Sequence, residues 1–182
     1  MKFLDFLEKW PISLMPLIIL LLMPFTVYRQ PPATTSTAAP PEYSAAFFLL
    51  PTEETLSVSQ PLEVSIFLQT GRARVDGADA VLRYNPRMLK AVRLKRGDLF
   101  EEYIYENIDE TKGEIRLSAL TLNPQPKSGT FGTVLFETLK KGTTTVFFEF
   151  TPGSSKDSNV ALSGSGGVDI LKEVKNGSYV IE

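Results

Sequence analysis

The 182-residue chain contains no histidine and no cysteine. Those absences exclude imidazole bases, thiolate nucleophiles, zinc sites of the usual nitrogen and sulfur type, and every disulfide. Stability must then come from packing. An excess of charge is missing as well: 19 Lys and Arg stand against 21 Asp and Glu, for a formal net charge of -2. The basic residues read as scattered among acids, so no surface for a phosphate backbone is expected and nucleic acid is not an expected partner. No cofactor is expected either. What remains is a 43% hydrophobic composition, enough for one buried core, and a length that suits one domain with an appendage.

From Pro11 to Tyr28 no residue is charged, and Leu14 to Val27 is almost wholly aliphatic. Such a segment belongs in a bilayer. Residues 11–28 are near the short end for a ~30 Å hydrocarbon core, with Trp10 and Tyr28 placed as interfacial anchors. Pro16 and Pro24 kink a spanning helix without forbidding it. A cleaved signal peptide is the competing fate, but the nearest small-residue pattern, Ser36-Thr37-Ala38, lies about ten residues beyond the apolar run, farther than cleavage normally reaches. Gln30 to Pro41, QPPATTSTAAPP, has nothing to bury and reads as an extended spacer. The expected organisation is a single-pass membrane anchor over 1–29, a linker over 30–42 and an extracellular domain over 43–182.

Beyond Tyr43 no stretch keeps a helical period for three turns, and short β-rich runs are separated by Gly, Pro, Asn and Asp. Leu62, Val64, Ile66 and Leu68 alternate with Glu63, Ser65, Phe67 and Gln69. Ala78, Ala80, Leu82 and Tyr84 alternate with Asp79, Val81 and Arg83, and Asn85-Pro86 then turns the chain. Further strands are expected at Ala46–Pro51, Lys90–Leu94, Tyr103–Ile108, Glu114–Leu122, Phe131–Leu139, Thr144–Phe150 and Ser178–Glu182, with a bulge near Gly132. Hairpin turns are expected at Glu110–Gly113, Lys140–Gly142 and Asn176-Gly177. Nine strands at this spacing predict an all-β, antiparallel sandwich with jelly-roll topology.

The order of these segments resembles the cohesin domain of cellulosomal scaffold proteins: an apolar first strand, PLEVSIFLQT, VDGADAVLRYNPRML, KGEIRLSAL, GTFGTVLFETL, KKGTTTVFFEF and a closing NGSYVIE. The resemblance covers about Ala46 to Glu182. Its most specific piece is Leu82-Arg83-Tyr84-Asn85-Pro86, where the family shows a strand ending in Tyr-Asp-Pro. The resemblance implies a nine-stranded jelly roll whose partner is a dockerin, a small calcium-loaded helical pair appended to another protein. It implies further that the partner lies on the outer face of the third, fifth, sixth and eighth predicted strands. Combined with alternation, that places Asp79, Val81, Arg83, Arg116, Ser118, Leu120, Thr145, Phe147 and Glu149 on the binding face, with Tyr103 and Tyr105 beside them. Such a mixture suits recognition, because aromatic and aliphatic groups bury area while charged groups orient the partner.

Other readings stay open at this stage. A carbohydrate-binding module would use Tyr103, Tyr105 and Phe147 as a strip for polysaccharide, and a structural adhesion domain would contact its own copies. Asp157, Asn159 and Asp169 gather oxygens in a Gly- and Ser-rich stretch, for calcium or, more simply, for Asx turns. The acid pairs Glu53-Glu54, Glu101-Glu102 and Asp109-Glu110 fall in turns or strand ends, a poor setting for a catalytic acid that needs burial. Gly164-Ser165-Gly166-Gly167 lacks the Lys-Ser/Thr and the helix of a phosphate-cradling loop. The chain is not expected to be an enzyme.

Overall fold

The structure, a computed structural model, describes residues 43–182. The expected anchor at 11–28 and the linker at 30–42 lie outside the described residues. Among the described residues no helix is long and apolar enough to cross a membrane.

Twelve strands form two stacked sheets. In chain order they are β1 (Ala45–Leu50), β2 (Glu53–Leu56), β3 (Pro61–Gln69), β4 (Val75–Tyr84), β5 (Leu89–Arg96), β6 (Glu102–Asp109), β7 (Glu114–Gln125), β8 (Ser128–Thr138), β9 (Gly142–Phe148), β10 (Asn159–Leu162), β11 (Leu171–Lys175) and β12 (Gly177–Ile181). One sheet runs β11-β1-β3-β8-β5, and the other β2-β12-β9-β4-β7-β6 with β10 paired to β4. The sandwich is thus as expected, but it has three more strands than the nine predicted. The extra ones, β2, β10 and β11, are only four or five residues long. Pairing is antiparallel except for β1 with β11 and β12 with β2, which are parallel.

Alternation builds the core. Leu62, Val64, Ile66 and Leu68 of β3 are fully buried, as are Val134 and Phe136 of β8 in the same sheet and Leu82, Ile115 and Leu117 of the facing one. Phe47 stacks on Phe148 at 5.3 Å and meets the edge of Phe131 at 5.6 Å, tying both sheets together across the middle. The bulge expected near Gly132 lies between Gly132 and Thr130, where β3 passes from Ile66 to Phe67. A β-carbon at Gly132 would collide with Leu117 Cδ2, so the bulge brings backbone against the core where only hydrogen fits.

Two of the three expected hairpins are corrected. Glu110–Gly113 does join the antiparallel pair β6 and β7, with Gly113 at φ +61°. Lys140–Gly142 and Asn176-Gly177 instead carry the chain from one sheet to the other, because β8 and β9, and likewise β11 and β12, belong to different sheets. Glycine signals a tight change of direction in both settings, and local sequence does not distinguish them.

Candidate binding face

The outer face of the β2-to-β6 sheet collects most of the residues that alternation and resemblance selected. Register makes rows across β6, β7, β4 and β9. Asp109, Glu114, Arg83 and Phe147 form one row, and Tyr105, Ser118 and Asp79 another, ending at Asn159 of β10. Asn107, Arg116 and Val81 lie between them. Thr145 is exposed at the β12 side beside Ser178, and half-buried Leu120 lies midway along β7, between Gly77 and Glu102.

Val81 is a correction. It is only 3% exposed. Between β9 and β10 the chain leaves the sheet and returns, and the two ends of this excursion are pinned over Val81. Glu149 N donates to Val81 O at 2.8 Å, and Ser158 N donates to Glu149 O at 2.9 Å. The Ser158 hydroxyl lies 3.0 Å from Val81 N, which donates to it. Ser158 itself is fully buried. Sequence alternation placed Val81 outward correctly and had no means of seeing the cover.

Tyr103 is a second correction. A bulge between Tyr103 and Tyr105 puts Tyr103 opposite Ala119, on the core side, while Tyr105 pairs with Ser118 outside. The Tyr103 hydroxyl donates to Phe131 O at 2.7 Å, and burial pushes its pKa up to about 12. Tyr105 stays half exposed and Phe147 is 42% exposed. The three-aromatic strip of the polysaccharide reading therefore reduces to Tyr105 and Phe147, with β7 and β4 between them.

The charges on the face are locked to one another. Glu114, 91% buried, accepts from Arg83 Nη2 at 2.6 Å and from Arg116 Nε at 2.7 Å. Arg83 Nε reaches Glu149 at 2.7 Å. The hydrogen bond from Arg116, followed by the charges of Arg116 and Arg83, holds the Glu114 carboxyl below the usual carboxylate range against the opposing effect of burial. Glu114 was not singled out from sequence. Only the cross-strand register of Arg83 with Glu114 reveals it as the hub.

Beside this lattice lies a recess of about 420 Å³, lined by Asp79, Tyr105, Arg116, Ser118 and, from the excursion, Lys156 and Asp157. Asp79 accepts from Asn159 Nδ2 at 3.1 Å. Asp157 Oδ1 is buried and has no hydrogen-bond partner among the described residues.

Asp169 is committed elsewhere. Its Oδ1 accepts from Val160 N at 3.0 Å and Leu171 N at 2.9 Å, and its Oδ2 from Gly153 N at 3.3 Å. Asn159 Nδ2 also donates to Asp157 O at 2.9 Å, and among the described residues no group of three or more acidic side chains is arranged for a metal ion. Of the acid pairs, Glu101, Glu102 and Glu110 are exposed. Glu53 and Glu54 are exposed on β2. Hydrogen bonding to Thr121 lowers the pKa of Glu101, and bonding to Lys112 lowers that of Asp109, the reverse of what a general acid needs.

A family model described as "Cohesin domain" matches residues 50–170. Among solved structures, the chain is similar to a cohesin in a type I cohesin–dockerin complex from Clostridium thermocellum, at 18% identity over 76% of this chain and 99% of that one, with a TM-score of 0.60. It is similar to a type II cohesin domain from the cellulosome of Acetivibrio cellulolyticus, at 18% identity, 76% and 95% coverage and a TM-score of 0.58. A non-cellulosomal cohesin from the archaeon Archaeoglobus fulgidus gives 12% identity, 76% and 91% coverage and a TM-score of 0.57. At these identities the likeness shows a shared fold. No curated protein matches the chain.

Proposed function

Because the chain belongs to the cohesin family, we propose that it captures a dockerin-like protein module on the outer face of β9, β4, β7 and β6. In this reading residues 11–28 anchor it in a membrane and the 43–182 domain stands outside the cell. Cohesin domains are non-catalytic binding modules. The work of this one is equilibrium binding, and calcium belongs to the partner.

One observation carries the reading: exposed aromatic area lies beside charges already fixed in place. Arg83 and Arg116 are held by Glu114 and Glu149, so a partner that bonds to them does not have to freeze four long side chains. Phe147, next to Arg83 in the register, and Tyr105 offer apolar surface at low entropic cost. Asp79, on the wall of the recess, supplies an acceptor for a donor of the partner.

The test is calorimetric titration of the full chain in detergent with dockerin-bearing proteins encoded in the same genome, with calcium and with chelator. Binding is expected only with calcium. Phe147→Ala or Asp79→Ala is expected to weaken it by about 2 kcal/mol, roughly thirtyfold. Binding that ignores changes at Asp79, Arg83 and Phe147 would place the partner on another surface and end this reading.

A further inference from the structure

Basic residues from two segments of the chain meet at one edge of the sandwich. β5 is an edge strand of its sheet. From Arg87 to Arg96 five of ten residues are basic, none is acidic, and all five cations are exposed. Lys140 and Lys141 adjoin the start of this row, since Leu139 N donates to Met88 O at 2.8 Å. Of these seven cations, Arg96 alone has a carboxylate within 4 Å among the described residues, that of Glu106. The rest of the 43–182 domain carries 18 carboxylate side chains and nine cations, so its field turns this edge toward negative charge.

The patch also holds apolar side chains. Val92, at a bulge in β5, is 53% exposed, and Leu139, next to Lys140, is 42% exposed. Lysines on an edge strand serve to block strand addition, but that device does not call for bare Val and Leu among them. A soluble polyanion would use the cations and gain nothing from Val92 or Leu139. The surface of an anionic bilayer uses both, through headgroup attraction and shallow burial of apolar groups.

We propose that the β5 edge rests on the anionic headgroups of a lipid bilayer, with Val92 and Leu139 in the interfacial layer. For its setting this rests on the membrane tether argued above. Lys90, Arg93 and Lys95 pair in register with Glu137, Leu135 and Thr133 and so stand on the outer face of their sheet. That face is turned away from the β9-β4-β7-β6 face, so contact here leaves the binding face pointing outward.

Among the described residues the strands and the buried core fall within 45–181, and residues 41–182 form one compact unit, so the 43–182 domain is tested free of its anchor. It is mixed with vesicles of phosphatidylcholine alone, or of phosphatidylcholine with phosphatidylserine, and sedimented. Binding is expected only with phosphatidylserine. Joint Lys90→Gln, Arg93→Gln and Lys95→Gln changes should lower the partition coefficient about a hundredfold, at about 1 kcal/mol per cation near an anionic surface. Joint Val92→Ser and Leu139→Ser changes should lower it severalfold while leaving retention on heparin unaltered. Equal binding to both vesicle types, or none to either, overturns the proposal. So does heparin retention with vesicle binding indifferent to the Ser changes, which identifies a soluble polyanion as the occupant. None of these exposed substitutions touches the face that carries partner capture, so titration of the same variants separates a failure of this inference from a failure of the capture reading.

Discussion

Replacing Glu114 by Gln keeps the shape of the hub and removes its charge. In the folded protein the carboxylate accepts from Arg83 at 2.6 Å and from Arg116 at 2.7 Å, while its own side chain is 12% exposed and those of the arginines 29% and 38%. Hydrogen bonds to charged groups contribute about 1.5–3 kcal/mol when buried, and exposed ion pairs about 0.2–1. With one buried and two solvated ends, each bond is placed at about 1 kcal/mol, so the loss is about 2 kcal/mol. For a domain of this size that lowers the melting temperature by about 6–8 °C. The amide also turns a donor toward an arginine, which works in the same direction. The assay is calorimetric melting of wild type and Glu114→Gln across pH. Since the folded carboxyl titrates below its unfolded value of about 4.3, its contribution is complete above that pH and disappears as pH falls through the folded value. The two proteins should therefore differ at pH 7 and converge in acid. A difference under one degree at neutral pH, or one that does not shrink at all as pH falls below the ordinary carboxylate range, refutes the account of Glu114 as the hub.

Two further outcomes follow from buried polar groups. Tyr103→Phe loses the bond to Phe131 O and should cost about 1 kcal/mol near neutrality. Because the folded hydroxyl titrates at about 12, above the ordinary ~10, its contribution is intact below pH ~10 and is lost as pH rises beyond it, so alkaline melts of the two proteins should approach each other. Asp169→Ala strands the amides of Gly153, Val160 and Leu171 and should cost about 3 kcal/mol, with faster hydrogen exchange at those amides. Calcium should leave the wild-type melt unmoved, and an Asp169-dependent rise with calcium would restore the metal reading.

Where a side chain's neighbours lie along its own strand, the sequence was readable. The buried series of β3 and the Ala78, Ala80, Leu82 and Tyr84 series of β4 follow from period-two alternation alone. Arg83, Arg116, Ser118 and Asp79 reach a common face for the same reason. What stayed hidden depends on segments distant in sequence. The cover over Val81 comes from Ser158, 77 residues on, and Glu114 becomes a hub only when β4 and β7 pair in one register. Tyr103 turned inward through a one-residue bulge, which flips every side chain before it while leaving composition untouched. β2, β10 and β11 were missed because four or five residues carry too little alternation to stand out from a loop.

The two parallel pairs have a mechanical consequence. β1 lies beside β11, and after each chain segment changes sheet β2 lies beside β12, with both partners running the same way. A pull applied between Ala45 and Ile181 acts on opposite ends of these paired strands and along their length. It loads the ladder bonds together in shear, so they must fail at once instead of opening one after another like a zip. A load drawn across the two ends of the domain is in this way met by both ladders together.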